Sequence, residues 1–497
     1  MTTLWLDVKD LFDYARTCTR PSGIQRLTLE LSAAMHRLEA SRIGFVNHDR
    51  HRGLIEIVAW EEVAAIHERM VAGADKSDED ATVLMQAYDV DPSLQQSRLQ
   101  RIPFIGPALR SLTQRVPLPV RAPLGSAAYA QVDSFRYLWK ALRSLPGLFA
   151  KESVPLPDQA GGRDHTAKSQ LEREPWAARV QTGDSFLALG APWADPGYAD
   201  FVEHITSNYG VRFGIMIYDL IPIVRPEFFD RTLTTAFERF LRSAIPLADI
   251  IFAISHATGR DIVKWAASEQ IPLRSPPQVV PIGTGFRHSK PAPALPAGLV
   301  AGEYVLFVST IEARKNHVLA FRAWRRLIES SVSKTVPKLV FAGRIGWMIE
   351  DLMQSLENCN YLDGNIVIVK GAQDAVLARL YTDARFTIFP SHYEGWGLPV
   401  SESLSFGKVC VCSTSTSLPE AGGRFCLYHD PDSVTDAVAL YRRALEDTDL
   451  IRGMEAVIRD EHQPVLWDDC ANAIIQRVDQ GSRCEGIKSA ASNGLQS

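Results

Sequence analysis

Short apolar segments alternate with helical patterns along the second half of the chain, and this alternation restricts the fold more than any other sequence feature. Five segments have the length and composition of buried strands: 303–309, 338–343, 365–371, 385–391 and 408–413. In the gap between the first two, five apolar residues recur at helical spacing: Leu319, Ala323, Trp324, Leu327 and Ile328. Strands and helices alternate in this way in a doubly wound parallel sheet. We therefore predict an α/β domain that begins near residue 300.

The same alternation occurs in the first half of the chain, in two separate parts. It extends from residue 1 to about 60 and again from about 180 to 285, with apolar segments such as SFLALG and FGIMIYDLIP. We predict that both parts form one α/β domain, 1–290, with an insertion at about 61–180. The tail at 481–497 is small and polar, and we predict that it is disordered.

Charge and composition exclude several classes of protein. The formal net charge of −5 argues against a nucleic-acid binder, which needs a basic surface to displace counterions from phosphates. No apolar segment reaches the ~18 residues of a membrane-spanning helix, and the first residues show no secretory signal. The seven cysteines lack a CxxC pair and any zinc-like spacing. We therefore expect reduced thiols in a cytoplasmic protein.

The predicted insertion contains a basic amphipathic pattern. Residues 92–132 include no acidic side chain. The next segment places five apolar residues at helical spacing, with basic residues off their face: Phe135, Leu138, Trp139, Leu142 and Leu145. Such a helix either lies on an anionic membrane surface or covers part of the core while its charges meet water. The first alternative predicts peripheral membrane contact through residues 92–150.

A glycine-containing loop in the second domain carries most of the chemical information. Residues 389–421 predict a strand, a loop, a helix and a strand, with Gly395 and Gly397 at the carboxyl end of the first strand. Open α/β sheets bind ligands at this edge. The N–H groups at a helix start suit a phosphate, and glycines let the backbone approach it. Glu394 and Glu402 flank this anion site, and we expect them to accept hydrogen bonds from hydroxyl groups.

Seven residues separate the two glutamates, and their surroundings, FPSHYEGWGLPVSESLSFGKVC (389–410), resemble the EX7E signature of the family 4 retaining glycosyltransferases. Other segments of the second half match that family in order: STIEARKNH (309–317), VFAGRIGW (340–347), LARLYTDARF (377–386) and SLPEAGG (417–423). The likeness of the first half is thinner and rests on SGIQR (22–26), YDLIP (218–222), ADIIFAIS (248–255) and VVPIGTG (279–285). The resemblance covers roughly residues 1–60 and 180–475 and does not extend to the insertion.

The resemblance implies a GT-B fold, in which two Rossmann-like domains face each other across a cleft. The first domain, 1–290, would bind the acceptor. The second, 300–465, would bind a nucleotide-diphosphate sugar. The final helix, 466–480, would cross back to the first domain.

The resemblance also implies roles for individual residues. Glu394 would hold hydroxyls of the donor sugar and Glu402 those of the ribose, while Arg314 and Lys315 would neutralise the leaving diphosphate. Gly23 would let the first domain approach the same phosphates. The donor-binding candidates are Gly23, Arg314, Lys315, Arg344, Ser391, Glu394, Gly395, Trp396, Gly397, Leu398 and Glu402.

The catalytic candidates are Glu394, Arg314, Lys315 and Asp219. Asp219 either takes part in catalysis or caps the following turn, and Tyr218 stands where many family members have a histidine. We expect His317 and His392 to be packing or loop residues rather than general bases. Fixed cations aimed at a leaving phosphate lower the barrier directly, and the sequence shows no convincing carboxylate cluster for magnesium of the DxD kind. We therefore expect no metal cofactor.

These features predict a transferase that moves a hexose from a GDP- or UDP-sugar to a glycan or lipid-linked acceptor in polysaccharide biosynthesis, with retention of the anomeric configuration. Attack on the same face as the leaving group is the mechanism that the family likeness favours. Two alternatives stay open, because fold alone does not dictate function. One is a catalytically inactive protein that binds nucleotide sugars or glycans, and the other is a nucleotide-sugar epimerase.

Overall fold

A computed structural model gives the fold of the chain. It describes residues 2–17, 23–49, 54–72, 174–195, 197–285, 294–330 and 336–493. These residues form two α/β sheets within one compact unit. Most of the predicted insertion, and with it the membrane-contact segment at 92–150, lies outside the described residues.

The first sheet is built from short apolar strands of the N-terminal half. Within the described residues its strands are β1 (Leu4–Asp7), β2 (Ile43–Asp49), β3 (Leu54–Val58), β4 (Ser185–Ala188), β5 (Arg212–Ile217), β6 (Ile250–Ala253) and β7 (Gln278–Val279). Their order is β3-β2-β1-β4-β5-β6-β7, and all neighbours are parallel except β2 and β3. Every residue of β1, β4 and β6 is buried, as expected of a sheet covered on both faces. The apolar segments of the sequence are confirmed as strands.

Helices flank this sheet. They are α1 (Lys9–Thr17), α2 (Gly23–Glu39), α3 (Trp60–Ala72), α4 (Tyr198–Tyr209), α5 (Ile221–Val224), α6 (Arg231–Ala244) and α7 (His256–Ser268). Val63 and Ile66 of α3 are buried in the core on one face of the sheet, and Trp176 is buried in the core on the other face. The insertion is therefore shorter at both ends than the predicted 61–180, because these apolar side chains complete the two cores.

The second sheet consists of parallel strands. Within the described residues they are β8 (Tyr304–Val308), β9 (Lys338–Ala342), β10 (Ile366–Val369), β11 (Thr387–Phe389), β12 (Cys410–Ser413) and β13 (Cys426–His429). Their order is β10-β9-β8-β11-β12-β13. The five predicted strands are confirmed, whereas the edge strand β13 was not predicted. Its neighbours in the chain are glycines and charged residues, so the apolar segment is too short to stand out.

The helices of the second domain are α8 (His317–Ser330), α9 (Glu350–Asn358), α10 (Asp374–Asp383), α11 (Leu398–Ser405), α12 (Leu418–Gly422), α13 (Val434–Glu446) and α14 (Thr448–Glu461). The predicted helical face of α8 is confirmed, because Leu319, Ala323, Trp324 and Leu327 are buried in the core and Ile328 is partly buried against it. The two sheets together confirm the predicted α/β class.

The last helix, α15 (Trp467–Asn493), returns to the first sheet. Some of its side chains are buried in the same core as β1 and α2: Cys470, Ala471, Ile474, Ile475 and Val478. Arg42, which precedes β2, pairs with Asp479 of this helix at 2.7 Å. The predicted disorder from residue 481 is corrected, because the helix continues to Asn493. A helix that is already nucleated by packing gains one hydrogen bond for each further residue that it fixes.

The strand order of the second sheet determines where it can bind a ligand. Strands β8 and β11 are neighbours, but the chain continues from β8 to β9 on one side and from β11 to β12 on the other. The loops after β8 and β11 therefore diverge and leave a crevice at the carboxyl ends of the strands. None of the helices in the described part of the chain has the length and apolar composition to span a membrane.

Candidate active site

Two loops at the carboxyl edge of the second sheet carry the candidate residues. After β8, residues Ala313–Lys315 form a single 3-10 turn, which ends at Asn316 with a φ of +65°. Asparagine tolerates this left-handed conformation better than most residues. Its side-chain amide donates hydrogen bonds to the carbonyls of Pro390 (3.1 Å) and Pro431 (2.8 Å). The turn is thereby fastened to the loop after β11, and the two basic side chains reach Glu394.

Glu394 is the centre of a buried cluster of charges. One carboxylate oxygen lies 2.8 Å from the Arg314 guanidinium and the other lies 2.6 Å from the Lys315 ammonium. The Ser391 hydroxyl donates to the same oxygen as Lys315, at 2.6 Å. Arg314 also pairs with Glu312 at 2.8 Å. Four of the predicted residues, Arg314, Lys315, Ser391 and Glu394, are thus brought together.

Burial and charge together set the ionisation of this cluster. Burial alone would raise the pKa of Glu394, but Arg314 and Lys315 lower that pKa to about 2. Burial lowers the pKa of Lys315, and the neighbouring Arg314 lowers it further. Burial also opposes the charge of Arg314, yet Glu394 and Glu312 raise its pKa above the ordinary value. The carboxylate stays ionised at neutral pH, and the lysine is the group of the cluster that loses its proton most easily.

Glu402 lies in α11, eight residues after Glu394, and is surrounded by side chains of both domains. Its carboxylate accepts a hydrogen bond from the Tyr381 hydroxyl at 2.8 Å. Burial raises the pKa of Glu402, and the nearby Arg26 of α2 partly opposes this effect. Arg26 itself pairs with Asp374 at the start of α10, at 3.0 Å. The resemblance did not assign a role to Tyr381 or Arg26, although both lie inside segments that matched the family.

The loop between the two glutamates needs its glycines. A Cβ on Gly395 would lie 2.3 Å from the carbonyl oxygen of Tyr218 in the first domain, so this position admits no side chain. Gly397 has a φ of +108°, and a Cβ there would lie 2.4 Å from the Leu418 side chain. Helix α11 then begins at Leu398, directly after this loop. The predicted order of strand, loop and helix is confirmed, and phosphate binding at the helix start stays a prediction.

Trp396 and Leu398 contribute their side chains to domain packing. Both are partly buried against the core of the first sheet. The Trp396 indole donates to the Ser401 hydroxyl at 3.0 Å, and its carbonyl accepts from the Ser417 hydroxyl at 2.9 Å. Any contact of Trp396 with the sugar nucleotide would therefore come from its backbone N–H.

Asp219 follows β5 and faces the charge cluster from the first domain. Its carboxylate accepts a hydrogen bond from the N–H of Ile221 at 3.0 Å, as a turn-capping residue does. Burial raises the pKa of Asp219, while Arg314 opposes that shift. The capping interpretation is confirmed, and the carboxylate also lies within electrostatic reach of the cations. The hydroxyl of the preceding Tyr218 donates to the carbonyl of Leu189.

The remaining candidates lie at the edges of the crevice or outside it. Gly23 is the first residue of α2, and the loop before it lies outside the described residues. Arg344 follows β9, is exposed, and donates to the Thr310 hydroxyl at 3.5 Å. His317 is a packing residue, whereas the ring of His392, which stacks on an aromatic residue, also lies 3.2 Å from the Asp432 carboxylate. His317 stacks on Phe307 with ring centroids 4.2 Å apart, and burial lowers its pKa to about 3. His392 stacks on Phe228 at 5.5 Å.

Known proteins resemble this chain in both sequence and structure. The profile of the family described as Glycosyl transferases group 1 matches residues 300–459. The chain is 27% identical over 300 residues to O-antigen chain mannosyltransferase B of Escherichia coli, a match that covers 57% of this chain and 75% of that protein. It is 26% identical over 287 residues to the serotype-specific mannosyltransferase WbdA of Escherichia coli, covering 55% of this chain but 32% of that protein. Among solved structures, Alr3699/HepE of Anabaena in complex with UDP has a TM-score of 0.47 and 12% identity, and the match covers 99% of this chain and 100% of that one.

The matched family segment contains the whole second sheet, the crevice between β8 and β11, and every residue of the charge cluster. The first sheet supplies a second Rossmann-like half, as the GT-B fold requires. The predicted enzyme class is therefore confirmed: the chain is a transferase of GT-B fold, and its residues 300–459 match the family model described as Glycosyl transferases group 1.

Proposed function

We propose that the chain is a retaining hexosyltransferase of family 4 that moves mannose from a nucleotide-diphosphate donor, a GDP- or UDP-sugar, onto a glycan or lipid-linked acceptor in polysaccharide biosynthesis. The choice of mannose rests on the names of the relatives, which are O-antigen and serotype-specific mannosyltransferases. The observation that carries the proposal is the contact of Glu394 with both Arg314 and Lys315 at the crevice between β8 and β11.

The charge cluster suits the departure of a diphosphate. Breaking the anomeric bond leaves an oxocarbenium-like sugar beside a diphosphate that gains negative charge. Arg314 and Lys315 are already fixed in place, because each is largely buried and held by a carboxylate. Preorganised cations of this kind stabilise a developing charge without reorganisation, and the loss of one such group typically costs on the order of 100-fold to 1,000-fold in rate. The partial positive charge at the N-terminus of α11 would add to the effect.

We assign the two glutamates to hydroxyl groups and identify them as the EX7E pair. Glu394 is ionised at neutral pH because its pKa is about 2, so it accepts hydrogen bonds from sugar hydroxyls strongly. Glu402 lies farther along α11, between Tyr381 and Arg26, and would hold the ribose. The N-terminal domain would bind the acceptor from the opposite side of the crevice.

We propose retention by attack of the acceptor on the same face as the leaving group. Each carboxylate described around the loop has a partner: Glu394 pairs with cations, Glu402 accepts from Tyr381, and Asp219 caps a turn. An engaged carboxylate is a poor covalent nucleophile, which favours a mechanism without a glycosyl-enzyme intermediate. The two cations also take the role that a metal ion has in other transferases, so we propose that no metal is required. NMR of the product would report its anomeric configuration, and treatment with EDTA is expected to leave transfer unchanged.

The decisive experiment offers the protein GDP-mannose, UDP-glucose and related donors together with a fluorescent mannose-terminated oligosaccharide. Mass spectrometry of the product is expected to show the addition of one hexose from one donor. Donor binding without transfer would instead indicate an inactive binding protein. Conversion of the donor without acceptor would indicate an epimerase. The Lys315→Ala variant is the negative control, with turnover expected to fall at least ~100-fold.

We also propose that the protein is cytoplasmic and contacts the inner face of the membrane through residues 92–150, which lie outside the described residues. The basic amphipathic pattern in this segment supports the proposal. Deletion of the segment is expected to weaken association with liposomes that contain anionic lipid. Liposomes of neutral lipid are the control, and unchanged association with the anionic liposomes would refute the membrane contact.

A further inference from the structure

Helix α7 of the first domain holds the donor loop of the second domain on both sides of Glu394. The residue before the glutamate, Tyr393, donates its hydroxyl proton to the carboxylate of Asp261 at 2.7 Å. The residue after it, Gly395, has its carbonyl 3.4 Å from the hydroxyl of Thr258, which lies nearer, at 3.1 Å, to the carbonyl of Tyr218. Thr258 and Asp261 are three residues apart and therefore share one face of the helix. This face of α7 therefore contacts the residues on both sides of Glu394.

The same helix makes a third contact with the second domain at its N-terminus. The carboxylate of Glu420, in α12, accepts hydrogen bonds from the N–H groups of His256 (2.7 Å) and Ala257 (2.8 Å). These groups are unpaired at a helix start and carry partial positive charge, so a carboxylate is a favourable partner. Three polar contacts thus join α7 to the loops that carry the charge cluster.

The contacts of the donor loop inside its own domain differ in kind. The Thr416 hydroxyl accepts from the N–H of Glu394 and donates to its carbonyl, at 3.0 Å and 2.8 Å. Arg314 donates to the carbonyl of Tyr393 at 2.7 Å. These bonds lie entirely within the second domain, and they hold the backbone of the donor loop against the second sheet. The contacts from α7 exist only where the two domains meet, and they act on the residues next to the glutamate.

The Tyr393 ring is enclosed on the first-domain side. The guanidinium of Arg225 lies 6.0 Å from its centroid, and the Asp261 carboxylate is partly buried beside its hydroxyl. Burial raises the pKa of Tyr393, and Asp261 raises it further, so the hydroxyl stays protonated and remains a donor at neutral pH. The Tyr393 hydroxyl can therefore donate to Asp261 at neutral pH.

We propose that Asp261 is a positioning residue that acts through Tyr393: its hydrogen bond from α7 fixes Glu394 for contact with the donor sugar. The inference rests on the proposed transferase function. The inference distinguishes binding of the nucleoside diphosphate from transfer of the sugar, two steps that take place in the same crevice. The nucleoside diphosphate binds through Arg314, Lys315 and Glu402, which have no contact with Asp261 in the described residues. Transfer of the sugar requires Glu394 in the position that the bond between Tyr393 and Asp261 fixes.

The test compares Asp261→Ala and Tyr393→Phe, singly and together, with the unmodified chain. Each single variant is expected to lower kcat about tenfold, the loss typical of one hydrogen bond to a charged group. The double variant should be no slower than either single variant, because both remove the same bond. The affinity for GDP or UDP alone should stay within about twofold. Asp261→Asn keeps an oxygen that can accept from Tyr393 and should recover most of the activity.

Val263→Ala, on the same helix and 47% exposed, is the matched control and should leave kcat unchanged. Normal kcat in Asp261→Ala, additive losses in the double variant, or an equal loss of nucleoside diphosphate affinity would each overturn the positioning role. Failure of the unmodified chain to transfer any sugar would refute the transferase function, and this inference with it. Normal transfer by the unmodified chain and by Asp261→Ala would refute the inference alone.

Discussion

Replacement of Glu394 by glutamine distinguishes the two partners that Arg314 and Lys315 can have, which are the Glu394 carboxylate and the diphosphate of the donor. In the structure this carboxylate is 7% exposed and lies 2.6 Å from Lys315 and 2.8 Å from Arg314. Glutamine has the same shape but no charge, so both cations lose an anion at once. Arg314 keeps its pair with Glu312 at 2.8 Å, whereas Lys315 keeps no carboxylate partner among the described residues.

The expected loss of stability follows from this geometry. Removal of one partner from a buried ion pair typically costs about 3–5 kcal/mol. Because Arg314 retains Glu312 and Lys315 can give up its proton more easily than usual, we expect a loss near the lower limit, about 3 kcal/mol. The protein should stay folded. Urea denaturation followed by intrinsic tryptophan fluorescence would measure the change.

The same variant should uncouple binding from turnover. Cations that no longer face a carboxylate are more available to a diphosphate, so affinity for GDP or UDP should be equal to or higher than that of the unmodified protein. Turnover should fall at least ~100-fold, because the hydroxyl-binding charge is lost from the transition state. Calorimetric titration and product mass spectrometry give the two quantities. A turnover within tenfold of the unmodified enzyme, or an affinity for the nucleoside diphosphate that falls more than tenfold, would refute the reasoning.

Glu312→Gln is the matched control for that experiment. It also removes a buried carboxylate from Arg314, and Glu312 is 2% exposed. It should therefore cost a similar amount of stability. It should reduce turnover much less than Glu394→Gln does. Glu312 pairs with Arg314 from the side of the 3-10 turn, and no hydroxyl of the donor sugar is assigned to it.

Three further predictions concern the same crevice. Burial lowers the pKa of Lys315, so kcat/KM for the donor should fall as the pH rises through that lowered pKa; Lys315→Arg should move the fall to higher pH in a profile from neutral to alkaline conditions. Tyr381→Phe removes the hydrogen bond to Glu402 and should raise the donor KM about fivefold in steady-state kinetics, the effect of one bond of about 1 kcal/mol. Gly395→Ala places a Cβ 2.3 Å from the carbonyl oxygen of Tyr218 and should lower turnover by about tenfold or more; activity equal to that of the unmodified enzyme would show that the loop can move aside.

The second domain could be predicted from sequence because its determinants are local. Each strand is a compact apolar segment, and Glu394, Gly395 and Gly397 lie within four residues of one another. Arg314 and Lys315 follow a strand that becomes the neighbour of β11, so the alternation of strands and helices already places them at one edge of a sheet. The contact of these side chains with Glu394 follows from that order.

Contacts between distant segments could not be predicted. Asp261 and Tyr393 are 132 residues apart, and Glu420 caps a helix that begins more than 160 residues earlier. Neither pair follows a spacing rule, because domain docking rather than periodicity brings these residues together. The left-handed turn at Asn316 could not be predicted either, since asparagine occurs in many turn types.

The predicted limits of the insertion, 61–180, were wrong for a related reason. Helix α3 buries Val63 and Ile66 in the core and packs Trp60 partly against it, and Trp176 is a single aromatic residue before β4. A few anchoring residues at the ends of a long insertion do not produce a periodic pattern. The position of α15 was expected from the family resemblance, and its buried face consists of Cys470, Ile474 and Val478.

A crystal structure of the protein with a bound nucleotide sugar would test the central claim most directly. The account predicts that the diphosphate lies in the crevice between β8 and β11, within ion-pairing distance of Arg314 and Lys315. Glu394 should accept a hydrogen bond from a hydroxyl of the sugar, and Glu402 should accept one from the ribose. A nucleotide bound outside this crevice, or glutamates that point away from it, would contradict the account.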